Sequence, residues 1–343
     1  MSHAKHISVA GRLVGRHQPV FVIAEAGINH DGSSVTAHAL VDAAADAHAD
    51  AIKFQIVDPD ESYVPGTPSY ETFSARRLPP DAYAGLVSHA RDRGILMFAT
   101  PADRPSLDLS ARLQLPAVKI SSGLMTNTPL IERAALLGVP LLISTGGSEL
   151  WEVARLVGRL EAGGFTELAL LHCVSAYPTP PASVGVRAIS TLQSAFPHPI
   201  GYSDHTMDGT ACICAVALGA SVLEKHLTLD RARTGADHAI SAEPIEFVHL
   251  VQQVRAAEQM LMGEGKHPAP EEAEFRERFR RRIVAVRDIA KGERLTEDML
   301  GIKRPVSPGG LAPEHLPVLL GRRAVRAIRR HDPVDWDLIT DAE

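Results

Sequence analysis

Eight short runs of β-branched or apolar residues recur along the first two thirds of the chain. They are PVFVIAEAG (19–27), AIKFQ (51–55), ILMFAT (95–100), AVKIS (117–121), PLLIST (140–145), LALLHC (168–173), PIGYS (199–203) and SVLEKH (221–226). Apolar runs without polar alternation mark strands buried on both faces, as in a parallel sheet. Between them lie Ala-rich or amphipathic segments such as SVTAHALVDAAADAHA (34–49) and DGTACICAVALGA (208–220). Several such segments end at a glycine, for instance Gly94, Gly138 and Gly219, where a left-handed residue closes a helix. Eight strand–helix units in roughly 260 residues fit a (β/α)8 TIM barrel. An open doubly wound sheet is the rival, but it needs edge strands, and no run shows internal proline or strong alternation.

The barrel carries a check of its own, because active-site groups belong where strands end and loops begin. The eight runs end in turn at Glu25, Lys53 and Gln55, Thr100, Lys119 with Ser122, Ser144, His172 with Ser175, Ser203 with His205, and Glu224 with His226. Lys53 and Lys119 face one mouth. An unpaired buried ammonium costs several kcal/mol. A phosphate or carboxylate ligand would satisfy both lysines, with Ser122, Ser144 and Ser203 as further donors. Pairing of each lysine with a Glu or Asp inside the barrel is the plainer alternative. His205 and His226 end neighbouring strands, where two imidazoles and oxygen ligands suit Mn2+ or Mg2+ better than a closed zinc site. Glu25 is either a general acid/base or a structural partner of Lys53.

The character of the chain changes after the helical segment 243–262. GEGKHPAPEEAE reads as a linker, and the expected division is a barrel over 1–265, a linker over 266–282 and a small β-rich domain over 283–343. Within that domain AVRDIAKGERLTEDML (285–300) and AVRAIRRHDPVDWDLI (324–339) match at Ala, Val, Arg, Ile and Asp in register, which suggests pseudo-symmetry. Net charge is -6 overall, yet residues 276–330 hold fifteen Lys/Arg against six Asp/Glu, leaving that stretch at +9. This is either a solvated surface or a basic tail that meets the acidic body or an anionic substrate. The acidic overall balance and the lack of interleaved aromatics argue against nucleic acid. No run nears the roughly 20 apolar residues of a membrane helix, and the N-terminus lacks a secretory apolar core, so the expected compartment is the cytoplasm. Cys173, Cys212 and Cys214 are too few for a disulfide framework.

FVIAEAGINHDG, AIKFQ, KISSG, ISTGG, HCVSAYPTP, GYSDHT and EKHLTLDRARTGADH, in that order, resemble the sialic acid synthase family. IVAVRDIAKGERLTEDMLGIKRP resembles that family's C-terminal antifreeze-like (SAF) domain. The resemblance implies condensation of phosphoenolpyruvate with an N-acetylmannosamine-like amino-sugar aldehyde and water, giving a nonulosonic acid and phosphate. It implies phosphoenolpyruvate binding by Lys53, Thr100, Lys119, Ser122, Ser144 and Ser203, and Glu25 as the catalytic carboxylate. His205 and His226 would carry Mn2+, with Mg2+ or Co2+ as alternatives. Acceptor contacts would come from Gln55, Ser175, Tyr177 and Asp237, and from Arg304 reaching the partner's site in a domain-swapped homodimer.

The chain departs from the family pattern around the acceptor. Leu124 stands where members often have Glu, residues 57–77 lack the usual pattern, and the SAF loop reads RPVSPGG. A legionaminic or pseudaminic precursor therefore stands beside N-acetylmannosamine. Two further readings are an aldolase with a Schiff-base lysine and a non-catalytic sugar-binding relative.

Overall fold

A computed structural model describes residues 5–235, 237–263, 265–305 and 309–340. The chain forms two compact units, dividing between Met262 and Gly263. The first opens with a hairpin of β1 (Ile7–Val9) and β2 (Arg12–Val14). Its turn, Ala10-Gly11, has positive φ at both residues, as a tight hairpin requires. Strands this short leave little periodic signal, and the sequence pattern did not reveal them. Their apolar residues join the main core, and Arg12 pairs with Asp50 just ahead of the next-but-one strand.

The eight runs are the eight strands of a closed parallel barrel. They are β3 (Phe21–Gly27), β4 (Ala51–Ile56), β5 (Leu96–Pro101), β6 (Val118–Ile120), β7 (Leu141–Ser144), β8 (Leu168–Cys173), β9 (Ile200–Asp204) and β10 (Val222–His226). β10 pairs with β3 and closes the ring. The strands are almost wholly buried, since side chains face the lumen on one side and helices on the other. Helices return the chain after each strand, for example Ser34–Asp46, Pro80–Asp92, Leu150–Ala162 and Pro244–Met260. Ser33, Asp103 and Asn127 cap helix starts with side-chain oxygens. Gly94, Gly138 and Gly219 all adopt positive φ, as expected of residues that end helices.

The second compact unit runs from Gly263. The stretch expected as a linker holds a turn at Pro270–Glu272 and a helix at Ala273–Phe279. Glu274 and Arg278 form an i,i+4 pair at 2.8 Å, and Phe275 stacks on Phe279. Good helix formers in this charged segment explain why it is ordered. Beyond it, β11 (Arg282–Ala285) pairs antiparallel with β12 (Leu300–Lys303).

The internal echo is a structural repeat. Ile289 and Ile328, equivalent in the two copies, exchange backbone hydrogen bonds at 2.9 Å each. The amide of His331 bonds the carbonyl of Ala285, and the equivalent Gly292 amide bonds Ala324, both at 2.7 Å. Gly292 and His331 share a positive φ. Ile283, Ile289, Leu295, Ile328, Val334 and Ile339 pack into one core between the copies. Neither half could bury these residues alone.

Candidate active site

At the C-terminal mouth of the barrel, alternation along the strands turns Glu25, Lys53, Lys119, Ser144, Ser203 and Glu224 inward. Lys53 Nζ lies 2.5 Å from Glu25 Oε2 and donates to Thr100 Oγ1 at 2.9 Å. It also lies 3.8 Å from Glu224 Oε2. Lys119 Nζ lies 3.5 Å from Glu224 Oε1 and donates to Ser144 Oγ at 2.7 Å. Ser203 donates to Glu224 Oε1 at 3.0 Å. The structure thus brings Glu25, Lys53, Thr100, Lys119, Ser144 and Ser203 into one buried cluster.

This arrangement corrects one step of the sequence argument. The two lysines do not need an external anion to be satisfied, because Glu25 and Glu224 already balance them. Glu224 was visible in the sequence only as one of several polar strand ends, and nothing local marked it as the shared counter-ion.

The two carboxyls sit in unlike surroundings. Burial holds the Glu25 carboxyl above its usual range, reinforced by the charge of Glu224 and only partly offset by Lys53. Burial also acts on Glu224, but Lys119 and Lys53 outweigh it and hold that carboxyl down at about 2. Paired carboxyls driven apart in this way mark one proton carrier and one fixed charge. The two carboxyls thus differ in surroundings although both face Lys53. Lys119 is itself lowered, chiefly by burial.

Around this cluster lies a second layer of groups. Gln55 Nε2 donates to Glu25 Oε1 at 3.1 Å. A Cβ at Gly27 would lie tight against Glu25 at 3.3 Å and in ordinary contact with Gln55 and Asp237, so these three groups surround the glycine. Ser122 and Ser175 flank Gly146, where an added Cβ would lie 2.7 Å and 2.5 Å from their hydroxyl oxygens. The Gly146 amide donates to Ser122 Oγ at 3.0 Å. Leu124 lies in the short turn Ser122–Leu124 beside this cradle.

His205 and His226 are neighbours, with ring centroids 5.3 Å apart, and the Tyr177 ring lies tilted over His205 at 4.1 Å. His205 Nδ1 faces the Val174 carbonyl at 2.7 Å. A carbonyl only accepts, so Nδ1 carries a proton and Nε2 is the nitrogen left for another partner. His226 Nδ1 is buried without a hydrogen-bond partner, and Asp237 Oδ2 lies 3.8 Å from it. Among the described residues no group of three or more His, Cys, Asp or Glu side chains could by itself hold a metal ion. Two adjacent imidazoles, one with an unpartnered buried nitrogen, would fit an open site completed by oxygens from outside the chain. Arg304 belongs to the second unit, where its guanidinium covers the Phe279 ring at 3.9 Å and Nε donates to the Arg278 carbonyl at 2.9 Å.

Sequence reasoning missed two ties that shape the mouth. Asn29 Nδ2 donates to the Leu227 carbonyl and Ser241 Oγ, joining the loops after β3 and β10. His238, wholly buried, bridges Thr228 and Asp31. Asn29 falls inside the GINHDG segment, but its partners lie some two hundred residues away.

Comparison with known proteins places the chain in a family. Residues 40–267 match the NeuB family and residues 280–340 match the SAF domain. An uncharacterized protein of Methanocaldococcus jannaschii is 40% identical over 96% of this chain and 98% of its own length. The N,N'-diacetyllegionaminic acid synthase of Legionella pneumophila is 34% identical over 95% of this chain and 96% of its own. The solved N-acetylneuraminic acid synthetase of Leptospira borgpetersenii superposes with a TM-score of 0.76 at 34% identity, covering 80% of this chain and 96% of that one. Barrel, polar mouth and repeated tail together identify this chain as a member of the NeuB family of synthases, with a SAF domain at its C-terminal end.

Proposed function

We propose that the protein condenses phosphoenolpyruvate with an N-acetylmannosamine-like amino-sugar aldehyde. The enol C3 bonds to the aldehyde carbon, water adds at C2, and the C2–O bond to phosphate breaks. The products are a nonulosonic acid and inorganic phosphate. The observation that carries this reading is the buried set of two lysines and two carboxylates beside two adjacent imidazoles.

Lys53 and Lys119, with the hydroxyls of Thr100, Ser122, Ser144 and Ser203, bind and orient the anionic groups of phosphoenolpyruvate. Glu25 holds and releases a proton at Oε1, the atom turned toward Gln55 and Gly27. Glu224 is the counter-ion that both lysines share. His205 and His226 would hold a divalent cation, Mn2+ by preference and Mg2+ or Co2+ as substitutes, which when bound polarises the aldehyde carbonyl. Gln55, Ser175, Tyr177 and Asp237 line the acceptor's place. Arg304 would reach it from the partner subunit of a domain-swapped homodimer.

Leu124 favours a second acceptor class, since it shares a turn with Ser122 but packs against the apolar core and offers no hydrogen bond to a sugar hydroxyl. A legionaminic or pseudaminic precursor answers to that, and the Legionella relative bears such a name. Among the described residues no helix is long and apolar enough to cross a membrane. The three cysteines are free, and we place the protein in the cytoplasm, where thiols stay reduced.

The test is phosphate release from phosphoenolpyruvate with Mn2+ across a panel of six-carbon amino-sugar aldehydes. Release with at least one acceptor is expected, without borohydride trapping of a lysine adduct. Silence across the panel would overturn the reading.

A further inference from the structure

We propose that Asp204 and Lys225 are positioning residues for His205 and His226, an inference that rests on the function proposed above. Each precedes one of the two histidines in sequence. Alternation along the strands sends Ser203 and Glu224 into the lumen and Asp204 and Lys225 to the outer face. The two are register partners across the β9–β10 ladder. Lys225 Nζ donates to Asp204 Oδ2 at 2.7 Å, and the two side chains are 2% and 0% exposed.

Every hydrogen-bonding position of the pair is used. Asp204 Oδ1 accepts from the Tyr202 hydroxyl and the Thr206 amide, both at 2.9 Å. Oδ2 accepts in addition from the Thr206 hydroxyl at 3.1 Å and the Cys212 thiol at 3.4 Å. The remaining protons of Lys225 go to the carbonyls of Thr206 and of Asp208, the latter at 3.1 Å.

Stability alone does not account for this arrangement. A buried ion pair is often no more stabilising than well-packed apolar residues of the same size, which a wall between strands and helices would readily accept. An apolar pair could not hold the carbonyls of Thr206 and Asp208, the segment by which the chain leaves His205. With the ion pair in place that segment is fixed from behind. The His205 ring is fixed in front by the Val174 carbonyl, and the His226 carbonyl receives the Ala242 amide at 2.8 Å. The clamp thus sets the spacing of two imidazoles that it never touches. Groups that orient metal-holding side chains from behind are typically worth ten- to a hundredfold in metal affinity.

The experiment titrates metal-free full-length protein with Mn2+, followed by electron paramagnetic resonance. Wild type is expected to bind, and His226→Ala to lose that binding. The double variant Asp204→Leu/Lys225→Met leaves the buried Tyr202 hydroxyl, Thr206 amide and two carbonyls without these partners, so it is expected to melt below wild type and, while folded, to bind Mn2+ about ten- to a hundredfold more weakly. Its kinetics should show a raised KM for Mn2+ with a smaller change in kcat at saturating metal, and Lys225→Arg should restore part of the affinity. Tyr202→Phe removes one donor to Asp204 and keeps the ring, and it serves if the double variant does not fold. Mn2+ affinity within about twofold of wild type in the folded variants would overturn the inference and leave the proposed function standing. A wild type that binds no Mn2+ would instead sink the metal reading on which it rests.

Discussion

Lys119 and Glu224 stand on strands four places apart in a ring of eight, and their charged ends meet across the lumen at 3.5 Å. The contact ties opposite walls of the barrel at the depth where substrate anions would bind. It also means that the site contains its own counter-ion, so an arriving anion competes with a carboxylate already in place.

Breaking this contact should be felt in stability. Glu224→Gln leaves Lys119 buried with Ser144 as its chief partner, and such a loss costs about 3 kcal/mol. Because the folded-state carboxyl is held down at about 2, its contribution is present above the ordinary value of 4.5 and fades as pH falls from 4.5 toward 2. Urea melts of both proteins across that window should converge. Equal separation at every pH would show that Glu224 is not the charge that matters.

Glu25→Gln keeps a side chain of the same shape beside Lys53 and Gln55 but cannot carry the proton. We expect kcat to fall by roughly 10²–10⁴ with the KM for phosphoenolpyruvate little changed. The acid limb of the wild-type kcat profile should lie above the usual carboxylate range, because burial raises this carboxyl, and the variant should lack that limb. A variant with an unaltered profile would remove Glu25 from the proton path.

Gly146→Ala places a methyl 2.5 Å from Ser175 Oγ and 2.7 Å from Ser122 Oγ, so both hydroxyls must move. Displacements of this size at a binding cradle cost up to about 10²-fold. The KM for phosphoenolpyruvate should rise while the Mn2+ affinity stays put. Unchanged kinetics would place the substrate elsewhere.

The proposed contribution of Arg304 from a second copy is open to complementation. Arg304→Ala and Lys119→Met should each be nearly inactive alone. Co-expressed in the proposed homodimer, they would make mixed dimers in which one mouth pairs an intact barrel with an intact Arg304, and activity should return. If it does not, Arg304 serves its own subunit or none.

Much of this was legible in the chain. All eight barrel strands stand where continuous apolar runs predicted them, because burial on both faces writes itself into every residue of a strand. Polar residues at the ends of those runs were legible for the same reason, since a break in the apolar pattern marks the rim. The tail's repeat was legible too, through Ile289 and Ile328, because equivalent residues meet at one pseudo-symmetric contact. The hairpin at Ile7–Val14 and the helix Ala273–Phe279 were not, one being too short for periodicity and the other dressed in charge.

The sequence by itself determined which groups reach the rim: Glu25, Lys53, Lys119, Glu224 and His226 are fixed by their places on strands, and His205 by following β9 directly. Only the closed barrel decided which of them touch. Neighbouring residues on a strand point to opposite faces, so Ser203 and Asp204 are alike in the chain and opposite in the fold. Partnership across the lumen depends on ring closure over a hundred residues or more, as between Lys119 and Glu224, and no local pattern encodes it.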